Sequence, residues 1–220
     1  MIDDGIILVD KPAGMTSFGV VARVRRVLST HFGKKIKVGH TGTLDPFASG
    51  LMILVIGKEC KNAGDYSKLD KVYETTVILG AKSITGDIEG EITKISDNKP
   101  SQDDIEKALA DFRGKISQKP SQYSAIKIDG ERAYKLARAG KIVDMPTRQI
   151  EVYELTLVGY SYPELKLRAS VSSGTYIRTL AEDIGYKLGV GAYCKTLERV
   201  SIDRWNITEA KSLGDLSITS

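Results

Sequence analysis

One carboxylate, Asp45, stands alone in a glycine-rich run, Gly39-His-Thr-Gly-Thr-Leu-Asp-Pro-Phe-Ala-Ser-Gly50. Gly39, Gly42 and Gly50 permit tight turns or close ligand approach, and Pro46 biases Asp45 away from the α region, so this carboxylate has a fixed aim. A carboxylate so held can serve as a nucleophile. The same pattern also fits an aspartate that accepts backbone N–H bonds in a turn. His40 opens the segment with an imidazole able to stack or hydrogen-bond. Just upstream, Arg23, Arg25, Arg26, Lys34, Lys35 and Lys37 form a run with His31 in its middle and no acid. Such a field fits a polyanion held by its phosphates, or a solvated helix face followed by a loop.

Other chemistries lack their residues. No G-x-x-x-x-G-K-[ST] loop occurs, and Gly189-Val-Gly191-Ala-Tyr-Cys194 lacks the third glycine of the dinucleotide fingerprint. No G-x-S-x-G elbow exposes a serine, and nothing positive supports the paired carboxylates of a glycosidase. Cys60 and Cys194 lie far apart, and with His31 and His40 they form no zinc spacing, so neither metal nor cofactor is expected. The longest apolar run, 51–56, falls far short of the ~20 residues that span a bilayer, and residues 1–10 lack a basic signal-peptide region. A reduced, cytoplasmic protein without a membrane partner is the expectation.

The elements that must position Asp45 follow from periodicity. Residues 5–9 read as a short buried strand, and Val20, Val21, Val24, Val27 and Leu28 fall at helical spacing, with Ser17 available as N-cap. Residues 51–56 and the alternating 72–79 read as strands, and Ser101 with Asp104 forms an acidic capping box for a helix through Phe112. Residues 131–139 predict a helix closed by Gly140, 149–160 and 164–172 two strands turning at Tyr162-Pro163, 175–188 a helix, and 195–202 a last strand. No repeat or linker interrupts the 220 residues, which predicts one domain. Strands and helices mix without βαβ alternation, so the predicted fold is α+β with a central mixed, mainly antiparallel sheet flanked by helices.

These residues resemble a family. The pattern G-H-T-G-x-L-D-P-x-A-[ST]-G at 39–50 is the catalytic motif of the TruB-type tRNA pseudouridine synthases, which isomerise a uridine in the TΨC arm of tRNA. Lys11-Pro-Ala-Gly-Met-Thr-Ser17 resembles the N-terminal element of that family, and Asp70-Lys-Val-Tyr73-Glu its tyrosine segment. Pro120-Ser-Gln-Tyr-Ser-Ala-Ile-Lys127, continued by Gly130 to Gly140, is similar to an insert that closes over RNA, here about 119–148. Ser173-Gly-Thr-Tyr-Ile-Arg178-Thr-Leu-Ala-Glu-Asp-Ile-Gly185 resembles the block bearing the catalytic-site arginine.

The resemblance implies a pseudouridine synthase catalytic fold over residues 1–220 and tRNA as partner. Asp45 would attack or deprotonate the ribose of the target nucleotide while the glycosidic bond breaks, either through a covalent adduct or through a glycal. Arg178 would keep that carboxylate ionised and oriented. Tyr73 would stack on the flipped uracil and take the C5 proton. His40 would fill the space the flipped bases leave. Gly42, Thr43, Tyr176 and Leu197 would bind substrate, and Lys11, the run 23–37, Arg132, Lys135, Arg138 and Lys141 would meet phosphates. Two positions depart from the family, Glu198 in place of a positive charge and Ile84 in place of an aspartate. A monomer is expected, without the C-terminal RNA-binding domain usual in bacterial relatives. The rival readings are a non-catalytic tRNA-binding or folding module and a guide-RNA-dependent catalytic subunit.

Overall fold

The computed structural model describes residues 1–124, 126–128 and 130–217. In chain order the first elements are β1 (Gly5–Lys11), α1 (Ser17–His31), β2 (Val38–His40), β3 (Ser49–Ile56), α2 (Ala63–Ser67) and β4 (Lys71–Leu79). There follow β5 (Ala81–Ser83), β6 (Ile92–Lys94), α3 (Gln102–Ala110), β7 (Gly114–Gln118), β8 (Lys127–Ile128), β9 (Glu131–Arg132) and α4 (Ala133–Arg138). The chain continues with β10 (Arg148–Ser161), β11 (Glu164–Val171), α5 (Ile177–Lys187), β12 (Ala192–Ile202), β13 (Trp205–Asn206) and β14 (Lys211–Ser212). This is the predicted α+β class with a mixed, mainly antiparallel sheet. None of the described helices is long and apolar enough to cross a membrane. Two compact units divide the chain: Met1–Glu74 with Leu197–Ser220, and Thr75–Thr196.

In the first unit β3 is the central strand. One edge pairs antiparallel with β1 from Gly5↔Ile56 to Lys11↔Gly50. The other edge is shared, taking β12 in parallel at Ser49 and Gly50 and β2 antiparallel from Leu54 to Ile56. Strand β3 is therefore bordered on both sides and buried on both faces, which is why 51–56 reads as an unbroken apolar run. Gly50 is required where β12 approaches: its φ is +109°, and a Cβ there would stand 2.4 Å from the carbonyl oxygen of Arg199. Strand β14 adds to β1 in parallel. Helix α1 buries Val20, Val21, Val24 and Leu28 of the predicted stripe, with Val27 half-buried, each buried residue contributing about 1.5–3 kcal/mol of transfer free energy.

The second unit is built on β10, which pairs antiparallel with β7 and with β11 across the Tyr162-Pro163 turn. The capping box of Ser101 and Asp104 opens α3 as expected. Helix α5 buries Ile177, Leu180, Ala181 and Ile184. In the insert, Ile126, Ala133 and Met145 form a small core with Ile128, Val143 and Tyr176. The helix predicted at 131–139 starts two residues later, because Glu131 and Arg132 pair with β8 instead.

Candidate active site

The loop that presents Asp45 leaves β3's shared edge between the stretches taken by β2 and β12. The carbonyls stranded there find other donors. Thr41 N–H reaches Ile53 C=O at 3.2 Å, and Arg199 Nε reaches Leu51 C=O at 2.7 Å. Arg199 also donates Nη2 to Gly42 C=O at 3.2 Å, so one buried guanidinium fastens loop to strand. On the other flank Ser17 Oγ accepts the Leu44 N–H at 2.8 Å and donates to the Leu44 C=O at 2.9 Å. The carbonyl of Pro46 receives the Gly14 N–H at 2.7 Å and Lys11 Nζ at 3.3 Å. Asp45, half-buried, thus sits between two residues whose backbones are held by α1 and by the segment before it.

Two expectations are corrected here. Ser17 is not the N-cap of α1: Thr16 accepts the Gly19 N–H at 3.0 Å, which frees the Ser17 hydroxyl for Leu44. Lys11, expected at a phosphate, has no exposed surface, and its ammonium donates to the carbonyls of Pro12, Met15 and Pro46. A charge so deeply desolvated is kept by its acceptors, not by solvent or a polyanion. Lys11 therefore holds the loop.

His40 pairs with Leu54 at the end of β2, and its Nδ1 is buried without a hydrogen-bond partner among the described residues. Burial, aided by the charge of Arg199, lowers its pKa, so the ring is neutral at physiological pH. Thr43 is exposed on the loop, whereas Leu197 is buried. Tyr73 and Lys71 share the buried side of β4. Lys71 donates to the carbonyls of Ser67 and Leu69, tying the end of α2 to the strand that carries Tyr73. Burial and then Arg199 bring its pKa down to about 8. Glu198 faces Asp10 and Glu74, and burial raises its pKa. Its site is acidic, in keeping with the departure noted in the sequence.

In the second unit Arg178 lies in the first turn of α5 with its side chain 5% exposed. Its Nη1 donates to Asp87 Oδ2 at 3.0 Å and to Thr85 C=O at 2.6 Å, and Nη2 to Tyr123 C=O at 3.4 Å. Asp87 is buried in turn and also accepts the Thr85 hydroxyl at 2.6 Å and the Glu89 N–H at 3.0 Å. Tyr176, the residue before α5, exchanges two hydrogen bonds with the buried Gln118 amide, N–H to Oε1 at 2.8 Å and C=O from Nε2 at 3.1 Å. Gln118 imitates a strand neighbour and sets where α5 begins. Arg132 and Arg138 are exposed on the insert, Arg138 with its guanidinium 5.8 Å from the ring of Tyr134. Asp87, Gln118, Arg199 and Ser17 were not among the expected site residues. The one signal was Thr85-Gly-Asp87, whose spacing lets a carboxylate bond back two residues.

One turn after Arg178, Glu182 lies against Gly86, where a Cβ would come within 3.1 Å of its carboxylate. Burial, with Asp183 adding to it and Arg178 opposing, raises the Glu182 pKa to about 7, and burial raises Asp183 to about 6. Both groups bind protons more tightly folded than unfolded, so stability falls as pH climbs from about 4 to about 7 and stays reduced above that range. Glu182→Gln, which removes the charge and keeps the shape, should raise the unfolding midpoint at pH 8 and lose that advantage toward pH 4. Calorimetry at both pH values checks this, and a lower midpoint at pH 8 would contradict it.

The chain resembles proteins of known name. Residues 25–177 match the family model described as TruB family pseudouridylate synthase (N terminal domain). Over 97% of its length the chain is 40% identical to tRNA pseudouridine synthase B of Thermobifida fusca, of which it covers 74%. It is 43% identical over 96% of its length to the protein of the same name in Aquifex aeolicus, of which it covers 72%. Against that of Burkholderia lata the identity is 42%, and the chain spans 65% of the relative. Among solved structures, a chain of a Cbf5-Nop10-Gar1 complex superposes with a TM-score of 0.76 at 28% identity, over 98% of this chain and 54% of that one. A chain of an H/ACA RNP bound to a substrate RNA containing 2′-deoxyuridine gives 0.73 at 26% identity, over 98% and 53%. This chain spans about half the length of those two.

Proposed function

Since the chain belongs to the TruB family of pseudouridylate synthases, we propose that it isomerises uridine to pseudouridine in the TΨC loop of tRNA. The observation that carries this reading is the pinned loop: Leu44 and Pro46 are fastened on either side of one half-buried carboxylate, Asp45. The relatives at 40–43% identity carry the name tRNA pseudouridine synthase B, whereas the chains from the Cbf5-Nop10-Gar1 complex and the H/ACA RNP stand at 28% and 26%, which favours tRNA as the substrate.

The reaction breaks the N1–C1′ bond, turns the uracil, forms a C5–C1′ bond and moves the C5 proton off the ring while N1 regains one. Nothing is oxidised or reduced, so no cofactor is needed. Asp45 attacks or deprotonates the ribose. Tyr73 stacks on the extruded uracil and takes the C5 proton, and Arg178 supplies a fixed cation. A uridine inside a folded arm must leave its stack, at a cost of a few kcal/mol. His40, neutral and with Nδ1 unsatisfied, suits the vacated space. By the family resemblance Gly42, Thr43, Leu197 and Tyr176 bind the nucleotide, while Arg132 and Arg138 meet phosphates. The enzyme acts as a monomer in the cytoplasm.

Primer extension after carbodiimide treatment of a tRNA transcript incubated with the protein tests the reading. A single new stop in the TΨC loop is expected. No stop, or stops elsewhere only, would overturn it.

A further inference from the structure

Helix α1 carries an aromatic ring that the proposed reaction does not use. Phe18 is 66% exposed at the second position of the helix, next to Ser17, whose hydroxyl is bonded to the backbone of Leu44. Consecutive Cα atoms are about 3.8 Å apart, so the backbone that carries this ring adjoins the clamp on the loop that presents Asp45, while the ring itself is turned out to solvent. Ala22, Arg25 and Arg26 follow at helical spacing on the same side as Phe18. Arg26 is exposed and Arg25 half-buried, and neither has an acid partner among the described residues. The sequence holds no acid from Arg23 to Lys37, although Lys34 meets Asp3 at 2.9 Å.

An exposed ring followed by guanidinium groups suits a nucleic-acid strand, whose bases offer π-faces and whose backbone offers charge. The charge complementarity points to RNA rather than to an apolar protein surface. Seven or eight residues of helix at 1.5 Å each span about 11 Å, close to three nucleotides of a stacked strand at about 3.4 Å.

We propose that this face of α1 is a contact for the substrate strand beside the target uridine, with Phe18 stacked on a base or ribose and Arg25 and Arg26 at phosphates about three nucleotides along. The proposal rests on RNA being the substrate, and it names the helix face and the ring that grip the flank.

Fluorescence anisotropy of labelled, unmodified tRNA with the full chain tests it, alongside circular dichroism as a check of folding. Phe18→Ala should weaken binding about 10-fold, in the range of one lost stacking contact, and the loss should appear in KM. Phe18→Trp should restore affinity to within about 2-fold, since a larger ring still stacks. Tyr186→Ala, which removes a ring 79% exposed on α5, should change nothing. Arg25→Glu with Arg26→Glu should flatten the slope of log Kd against log salt by about 1.5, the share of two phosphate contacts. Wild-type affinity in folded Phe18→Ala, or an unchanged slope in the double variant, would overturn the proposal even if the enzyme makes pseudouridine. If the wild type makes no pseudouridine while Phe18→Ala still weakens RNA binding, the proposed function fails and this surface stands.

Discussion

Asp45→Asn is expected to lower the single-turnover rate of pseudouridine formation by about 10⁴-fold or more, the scale on which removal of a nucleophile or general base is felt. The amide keeps the size and the polarity of the side chain. It cannot attack a ribose carbon or hold a proton. The contacts that shape the loop should survive, because they use the backbones of Gly42, Leu44 and Pro46 and the side chains of Lys11, Ser17 and Arg199. The variant should therefore unfold at the wild-type midpoint and still bind tRNA. Turnover within 10-fold of wild type in a folded protein would mean that Asp45 only caps its turn.

Asp87→Ala is expected to be the most damaging change in the second unit. The Arg178–Asp87 pair is buried, with side chains 5% and 4% exposed. Removing the buried carboxylate takes from Arg178 an ion-pair partner in a desolvated site and costs about 3–5 kcal/mol. For a chain of this size that lowers the unfolding midpoint by about 10 °C. Well below that midpoint, turnover should still fall by about 10²-fold or more, because Arg178 loses the carboxylate that aims its Nη1. Arg178→Lys should share the kinetic defect, since one ammonium cannot reach Thr85, Asp87 and Tyr123 together. Calorimetry and rates measured at low temperature separate the two effects. A midpoint within about 2 °C of wild type would show that the pair is not an anchor.

Much of this architecture was legible because it rests on local rules. The valine stripe of α1, the alternation of β4 and the capping box of α3 each follow from residues a few positions apart, and each is found. The constraint on Asp45 was legible for the same reason, in Pro46 and the flanking glycines. Contacts made across long separations were not. Lysine is almost never fully buried, so Lys11 read as a phosphate contact, and only the fold brings three carbonyls to it. Ser17 read as the cap of α1 from its place before the valine stripe, and only the fold brings its hydroxyl to Leu44, 27 residues away, leaving the cap to Thr16. Gln118 and Asp87 act 58 and 91 residues from their partners. Strands as short as β2 and β14 carry too few residues for any period to show.

The central claim is that this protein detaches and reattaches a uracil in tRNA through Asp45. Tritium release from a tRNA transcript labelled at uridine C5 tests it most directly, because tritium leaves only when C5 becomes the glycosidic carbon. Wild-type protein should release one equivalent per tRNA, all from the TΨC loop, and Asp45→Asn should release essentially none. No release by folded wild type, or equal release by both proteins, would contradict the claim.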